Sequence, residues 1–446
     1  MLSWFIVCAA LCASVWLSRP CARAEERLRQ TQAHGQTDDH EPALQGSPRA
    51  TPADGAPRTN APAAKAEEED ATLPAVAAVP PAESDSVSSP PAAVQAEPVT
   101  AGMLPPRKSL WDYFKVLPIF YYSNETSLGL GAGTLLQFDT RGAAGGRRPS
   151  TIAMGAVYTL NKQITGQFTP DLRFGNDAYV LRADIAGARY PSRFFGIGND
   201  NKRSDYSSFT DVYFRGDVDF KMRPFKEKHA LRPMFLGVNY AGLWSSMRDG
   251  KGDKFKEVHD RGERGFVASG FGPTLTWDSR DSLSWPNRGS FAEVKSTFFN
   301  PVLGSDIRYR RLAIDLRHYQ RLWLDHILAV RFVSQSVWGE VPFQRLPQLG
   351  GPSLFRGWYG GQLRDRLLIA IEAEYRVPIT KRWAAVAFGS VGRVARSVAH
   401  FDMKDLHLAG GGGLRFSVDK RDRVNIRVDL AYGDEFYPCL QFREAF

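Results

Sequence analysis

From about residue 113 to the end of the chain, apolar and polar positions alternate with a period of two. The clearest stretch is Val424 to Tyr432, where Val424, Ile426, Val428, Leu430 and Tyr432 share one face and Asn425, Arg427, Asp429 and Ala431 the other. Along 211–222, Val212, Phe214, Val218, Phe220 and Met222 oppose Asp211, Arg215, Asp217, Asp219 and Lys221. Along 370–377, Ile371, Ala373, Tyr375 and Val377 oppose Glu372, Glu374 and Arg376. A period of two is the signature of a strand, whose successive side chains point to opposite faces. It persists through hundreds of residues with no helical pattern to cover either face. That predicts an all-β transmembrane antiparallel barrel, apolar side to lipid and polar side to the lumen.

Sixteen strands are predicted, centred near 119, 132, 155, 169, 183, 215, 238, 272, 295, 314, 332, 372, 387, 412, 428 and 441. An even number suits a single-chain bacterial barrel. With a periplasmic N-terminus, odd strands rise and even strands descend. The longer connections (about 190–206, 248–264 and, longest, 341–365) then all fall outside, leaving short turns inside. In the closing strand Phe436, Pro438, Leu440, Phe442 and Phe446 fall on one face. Pro118 in the first strand and Pro438 in the last each remove a ladder donor, so the closure seam Pro118/Pro438/Phe446 is expected to be short of hydrogen bonds.

Composition divides the rest of the chain. Residues 1–24 read as a signal peptide, with an apolar core from Phe5 to Leu17 and an Ala22-Arg23-Ala24 cleavage pattern, although Met1 to Trp4 lacks the usual basic residue. Residues 25–105 are Ala/Pro-rich and, between Glu25 and Met103, hold no Phe, Tyr, Trp or Ile. Such a segment cannot bury enough apolar surface to fold, so it is expected to be a disordered periplasmic linker without a compact domain. The barrel is assigned to 106–446. Mean hydropathy is slightly negative, as expected when every lipid-facing residue is matched by a lumen-facing one, and no later stretch is long and apolar enough for a spanning helix.

Cys8, Cys12 and Cys21 lie in the signal segment, leaving Cys439 alone in the mature chain. This excludes an internal disulfide and a thiolate metal cluster. The net charge of +9 conceals an acidic linker, with five basic and thirteen acidic residues, and a barrel region with 50 basic and 35 acidic residues. The bases are interleaved with acids on strand positions, which suits a lumen and lipid headgroups rather than nucleic acid.

Several motifs resemble the barrel of the bacterial surface antigen superfamily (BamA/TamA-like). They are Trp277-Asp278-Ser279-Arg280-Asp281 with Pro286 and Gly289, LGGPSLFRGW over 349–358, EAEYRVP over 372–378, Phe388 to Gly392, and Gly410 to Arg415. More loosely, Tyr190-Pro191 through Phe195-Gly196-Ile197-Gly198 fits as well. The chain resembles a branch of that family without periplasmic repeat domains.

The resemblance implies that Arg356, beside Gly357 at the tip of the long loop, folds into the lumen and pairs with acids there. Alternation offers Glu372 and Glu374 as those acids. Where the family often has F-x-D-x-G, this chain has Phe388-Gly389-Ser390-Val391-Gly392, so Ser390 cannot serve as an anion and the latch is expected to rest more on Glu374 or to be looser. Trp277, Asp278, Arg280 and Asp281 are expected to organise a periplasmic turn. The family's seam is proposed to open sideways to lipid and clients.

The resemblance implies a barrel assisting insertion or export of proteins or lipids at the bacterial outer membrane; a plugged channel or structural barrel without client-insertion activity is the alternative. Outer-membrane lipid, client proteins or lipids and periplasmic factors are the expected partners of a monomer. No cofactor, metal or catalytic residue is expected. His229, His259, His318, His326, His400 and His407 sit in no Ser/His/acid pattern, and the GLGAG run at 129–133 lies on a strand with no helix after it to cradle phosphate.

Overall fold

The computed structural model describes residues 116–138, 150–226, 228–258, 265–418, 425–442 and 444–446. The signal-peptide and linker assignments, and Val424, lie outside the described residues. The first strands are β1 (Val116–Ser123), β2 (Ser127–Phe138), β3 (Ser150–Thr159), β4 (Ile164–Phe174), β5 (Tyr179–Phe194) and β6 (Ser207–Met222). There follow β7 (Met234–Lys251), β8 (Phe266–Asp278), β9 (Gly289–Phe299), β10 (Tyr309–Arg321) and β11 (Ile327–Gly339). Two-residue strands β12 (Gln348–Leu349) and β13 (Leu363–Arg364) pair within the long loop. The wall resumes with β14 (Leu367–Pro378), β15 (Trp383–Ala395), β16 (His407–Ser417), β17 (Asn425–Tyr432) and β18 (Phe436–Phe442).

Sixteen of these strands close into one antiparallel barrel in which sequence neighbours are spatial neighbours, β11 pairs β14, and β18 returns to β1. The alternation predicted this wall strand for strand. It did not show the β12–β13 hairpin, which is too short to carry a period.

Register fixes which face each residue takes. Glu372 opposes Ser390 and Glu374 opposes Phe388; continuing through β16 and β17, Arg415 opposes Arg427 and Gly413 opposes Asp429. All these lie on the inner face. Outward positions remain apolar and exposed, such as Leu130, Phe168, Phe214, Phe271, Ile371 and Leu430, as a lipid-facing belt requires. The inner face is a packed interior in which Arg356, Glu374, Arg376, Arg415, Arg427 and Asp429 are all buried.

Closure is uneven. β5 pairs β6 over sixteen residue pairs from Tyr179↔Met222 to Phe194↔Ser207, and β1 pairs β2 along its whole length. Between β1 and β18 one ladder pair, Tyr122↔Leu440, forms among the described residues.

The chain end differs from expectation. The alternation puts Phe446 on the outward face with Phe442, but among the described residues the β17–β18 ladder runs no further than Phe442. Phe446 instead packs inside the barrel against Tyr319 and Ala329, and its main-chain oxygen accepts from Arg376 Nη2 at 3.2 Å. Once the ladder ends, strand parity no longer sets direction, and an apolar pocket on β10 and β11 does. Phe446 is therefore not part of the β1–β18 seam.

Candidate functional site

The long connection between β11 and β14 turns into the lumen. Its neck is the β12–β13 hairpin, and Gly351 N–H donates to Trp358 O at 2.9 Å, so 352–357 form a closed tip. Gly350, Gly351 and Gly357 take φ of 114°, 97° and 113°, a region that L side chains avoid. Gly357 also has no room: a Cβ there would sit 2.7 Å from the main-chain carbon of Tyr432. Its carbonyl accepts from the N–H groups of Asp434 and Glu435 in the β17–β18 turn. Leu349, Phe355, Trp358 and Leu363 pack with Val333, Leu368 and Val394 of the inner wall. The loop is thus a plug held by apolar burial.

Beneath this apolar layer lies an ionic one. The Arg356 guanidinium forks between two carboxylates, Nη1 to Asp429 Oδ2 at 2.8 Å and Nη2 to Glu374 Oε2 at 3.1 Å, with its carbon 3.5 Å from the centre of the Phe388 ring. Burial works against its charge, but Glu374 and Asp429 outweigh that and hold its pKa above the ordinary value. Glu374 also accepts from Arg376 at 2.8 Å and Arg415 at 3.3 Å. Asp429 also accepts from Arg415 at 2.5 Å and Arg427 at 2.8 Å. Arg415 reaches Glu444 at 2.7 Å, and Arg427 Nη2 donates to Pro352 O of the loop tip at 2.7 Å. Charge-assisted bonds of this density hold geometry more firmly than neutral ones.

Glu372 has a different role from Glu374. It accepts the Phe355 N–H at 3.1 Å and faces Arg331 at 3.5 Å, and Ser390 Oγ donates to it at 3.4 Å. Ser390 therefore adjusts Glu372 rather than touching Arg356. The second anion on Arg356 comes from Asp429, three strands along the wall from Glu374. The alternation at 424–432 put Asp429 on the polar face with Arg427; what it lacked was the register across β14 to β17. Arg376, Arg415, Arg427 and Glu444 were missed for the same reason.

Other members of the loop cluster brace the plug from above. Arg364 is buried and meets the carbonyls of Gly361 and Phe343 and the Phe194 ring rather than a carboxylate, so burial lowers its pKa to about 10. Gly198 N–H donates to Arg364 O at 2.8 Å, Asn201 and Gln362 exchange side-chain to main-chain bonds, and Phe195 packs edge-on against Tyr359.

The β8–β9 turn lies at the opposite, short-turn end. Arg280 makes a two-point bond to Asp278 at 2.9 and 3.0 Å and covers Phe291. Asp281 accepts from the Asn287 and Arg288 N–H groups, closing the turn. Trp277 lies on the outward face and Asp278 on the inner one. Pro118 opposes Ala132 on β2 and Pro438 opposes Leu430 on β17, both beside the sparse seam. Cys439 is buried on the inner face. Among the described residues no group of His, Cys, Asp and Glu is arranged to hold a metal ion.

A family model described as the Omp85 superfamily domain matches residues 148–418, more than half of the chain. Among solved structures, BamA from Haemophilus ducreyi lacking POTRA domains 1–3 is similar at 14% identity, covering 74% of this chain and 69% of that one, with a TM-score of 0.49. CdiB from Acinetobacter baumannii is similar at 12% identity, covering 74% and 59%, with a TM-score of 0.48. CdiB from Escherichia coli is similar at 9% identity, covering 73% and 62%, with a TM-score of 0.48. The chain therefore spans less than two thirds of either CdiB structure. No curated protein matches it.

Proposed function

This chain belongs to the Omp85 superfamily, and from that premise we propose that it is a bacterial outer-membrane barrel that assists insertion or export of proteins or lipids through its β1–β18 seam. The observation that carries this reading is the seam itself: one ladder pair among the described residues, where walls such as β1–β2 and β5–β6 are stitched along their length. Backbone hydrogen bonds are what keep a barrel edge from lipid. A seam lacking most of them is the place where the wall parts at least expense, offering unpaired strand edges on which a client strand could pair. Arg356, Gly357, Glu372, Glu374 and Ser390 then act as the latch that keeps the plug seated while the seam works. The linker 25–105 lies in the periplasm in this reading, and periplasmic factors bring clients to the barrel.

The test is a disulfide between the direct seam partners, Tyr122→Cys with Leu440→Cys in a Cys439→Ser background, in proteoliposomes supplied with an unfolded outer-membrane barrel. The locked protein is expected to lose assembly activity and recover it on reduction. Full activity while locked would rule out the seam as the working element.

A second reading, a plugged channel or structural barrel, draws on the lumen filled by the loop and its ion layer. Large, steady conductance in planar bilayers would favour a pore, and small flickering openings a plugged barrel.

A further inference from the structure

The loop end of the seam is held by side chains, and they converge on Glu125 in the β1–β2 turn. Glu125 is buried. One carboxylate oxygen accepts the Gly360 N–H of the plug loop at 2.5 Å, and the other accepts the Tyr437 hydroxyl from β18. Its main-chain oxygen accepts from Asn161 at 2.8 Å and Gln163 at 3.1 Å, fixing the turn against the β3–β4 hairpin. Next to it, Asn124 Nδ2 donates to Phe436 O at 3.1 Å. One carboxylate therefore joins three parts between which few backbone bonds run among the described residues: the first hairpin, the last strand and the plug.

We propose that Glu125 is a positioning residue that couples seating of the plug loop to closure of the β1–β18 seam. With one backbone pair across the seam among the described residues, the Tyr437 hydroxyl adds, beside the Asn124 amide, a side-chain bond between β18 and the first hairpin. A carboxylate braced by Gly360 is pre-aligned for that hydroxyl; a carboxylate braced by Tyr437 is pre-aligned for Gly360. Each contact lowers the ordering demand of the other, so the coupling is reciprocal. Withdrawing the plug frees the seam, and parting the seam loosens the plug. This is a property of the closed barrel and does not depend on whether the protein handles clients.

The test is hydrogen–deuterium exchange on the full chain in lipid nanodiscs, with no client, so that its outcome is independent of any assembly assay. Tyr437→Phe keeps the ring and deletes the hydroxyl; Glu125→Ala removes the hub, with Glu125→Gln as the milder form if the alanine variant does not fold. Tyr437→Phe is expected to speed exchange about tenfold, the effect of losing one bond to a charged group, both in the seam strands 116–123 and 436–442 and in loop residues 357–363. The 289–299 ladder should stay unchanged, and the double variant should exchange no faster than Glu125→Ala alone. Unchanged loop exchange in Tyr437→Phe, effects that multiply in the double variant, or a rise spread evenly over the barrel would each overturn the coupling.

Discussion

The wall from β5 to β7 and the closure from β17 through β18 to β1 solve the same problem by different means. In the first, strands of 16, 16 and 18 residues are paired along their length, so the backbone holds the wall and the lumen charges only line it. Lys221–Glu293 and Lys295–Asp219, the latter at 2.7 Å, bind inner residues across the lumen side without closing any gap in the ladder. In the second, β18 has seven residues and meets β1 through one pair among the described residues. There the structure relies on side chains and on the plug: Arg356 between Glu374 and Asp429, Glu125 between Gly360 and Tyr437, and the Gly357 carbonyl on the N–H groups of the β17–β18 turn. Backbone ladders tolerate loss of any one side chain. A side-chain closure concentrates its stability in a few groups, which is also what permits it to open.

The comparison is tested hardest at Arg356. Arg356→Ala would leave two buried carboxylates short of a cation, and is expected to lower barrel stability by about 3–5 kcal/mol. The midpoint of heat unfolding in detergent, followed by gel shift, measures it. An unchanged midpoint would remove Arg356 as a structural latch.

A smaller loss is expected from Gly357→Ala. The added Cβ meets main-chain atoms of Tyr432 and Gly433 at 2.7–2.9 Å, and φ of 113° is strained for any L side chain. About 2 kcal/mol is expected, together with faster amide exchange confined to the 433–435 turn and the loop tip. If that turn kept its protection, the loop would not be bracing β18.

The smallest effect should come from the ladder-held side. Arg321 pairs with Asp325 at the exposed β10–β11 turn, and an exposed pair of this kind contributes little. Arg321→Ala is expected to shift the urea midpoint by less than about 0.5 kcal/mol of stability. A loss comparable to that of Arg356→Ala would erase the distinction between the two regions.

Much of the fold was legible because a barrel strand repeats one local rule. Val424 to Tyr432 shows it openly, and the same parity put Glu372, Glu374, Arg427 and Asp429 on the inner face before any register was known. The candidate site was legible only in part. Arg356 and Gly357 stand out in LGGPSLFRGW, but nothing local indicates that Asp429 meets Arg356, or that Glu372 takes the Phe355 N–H instead of the guanidinium. Those pairings arise from summing registers across four strands and from the depth to which the loop enters. Glu125 was invisible for the same reason: its partners lie 235 and 312 positions away.

The sequence alone settled the number of wall strands, their faces and the place of the long loop, because alternation and turn chemistry act between near neighbours and are written residue by residue. Tertiary structure alone decided the rest. It showed that the seam carries a single ladder pair among the described residues, that Phe446 packs in a pocket beside Tyr319, and that one buried guanidinium is shared by two carboxylates. These depend on closing the sheet on itself, which brings the first and last strands together and makes an interior that no local segment possesses.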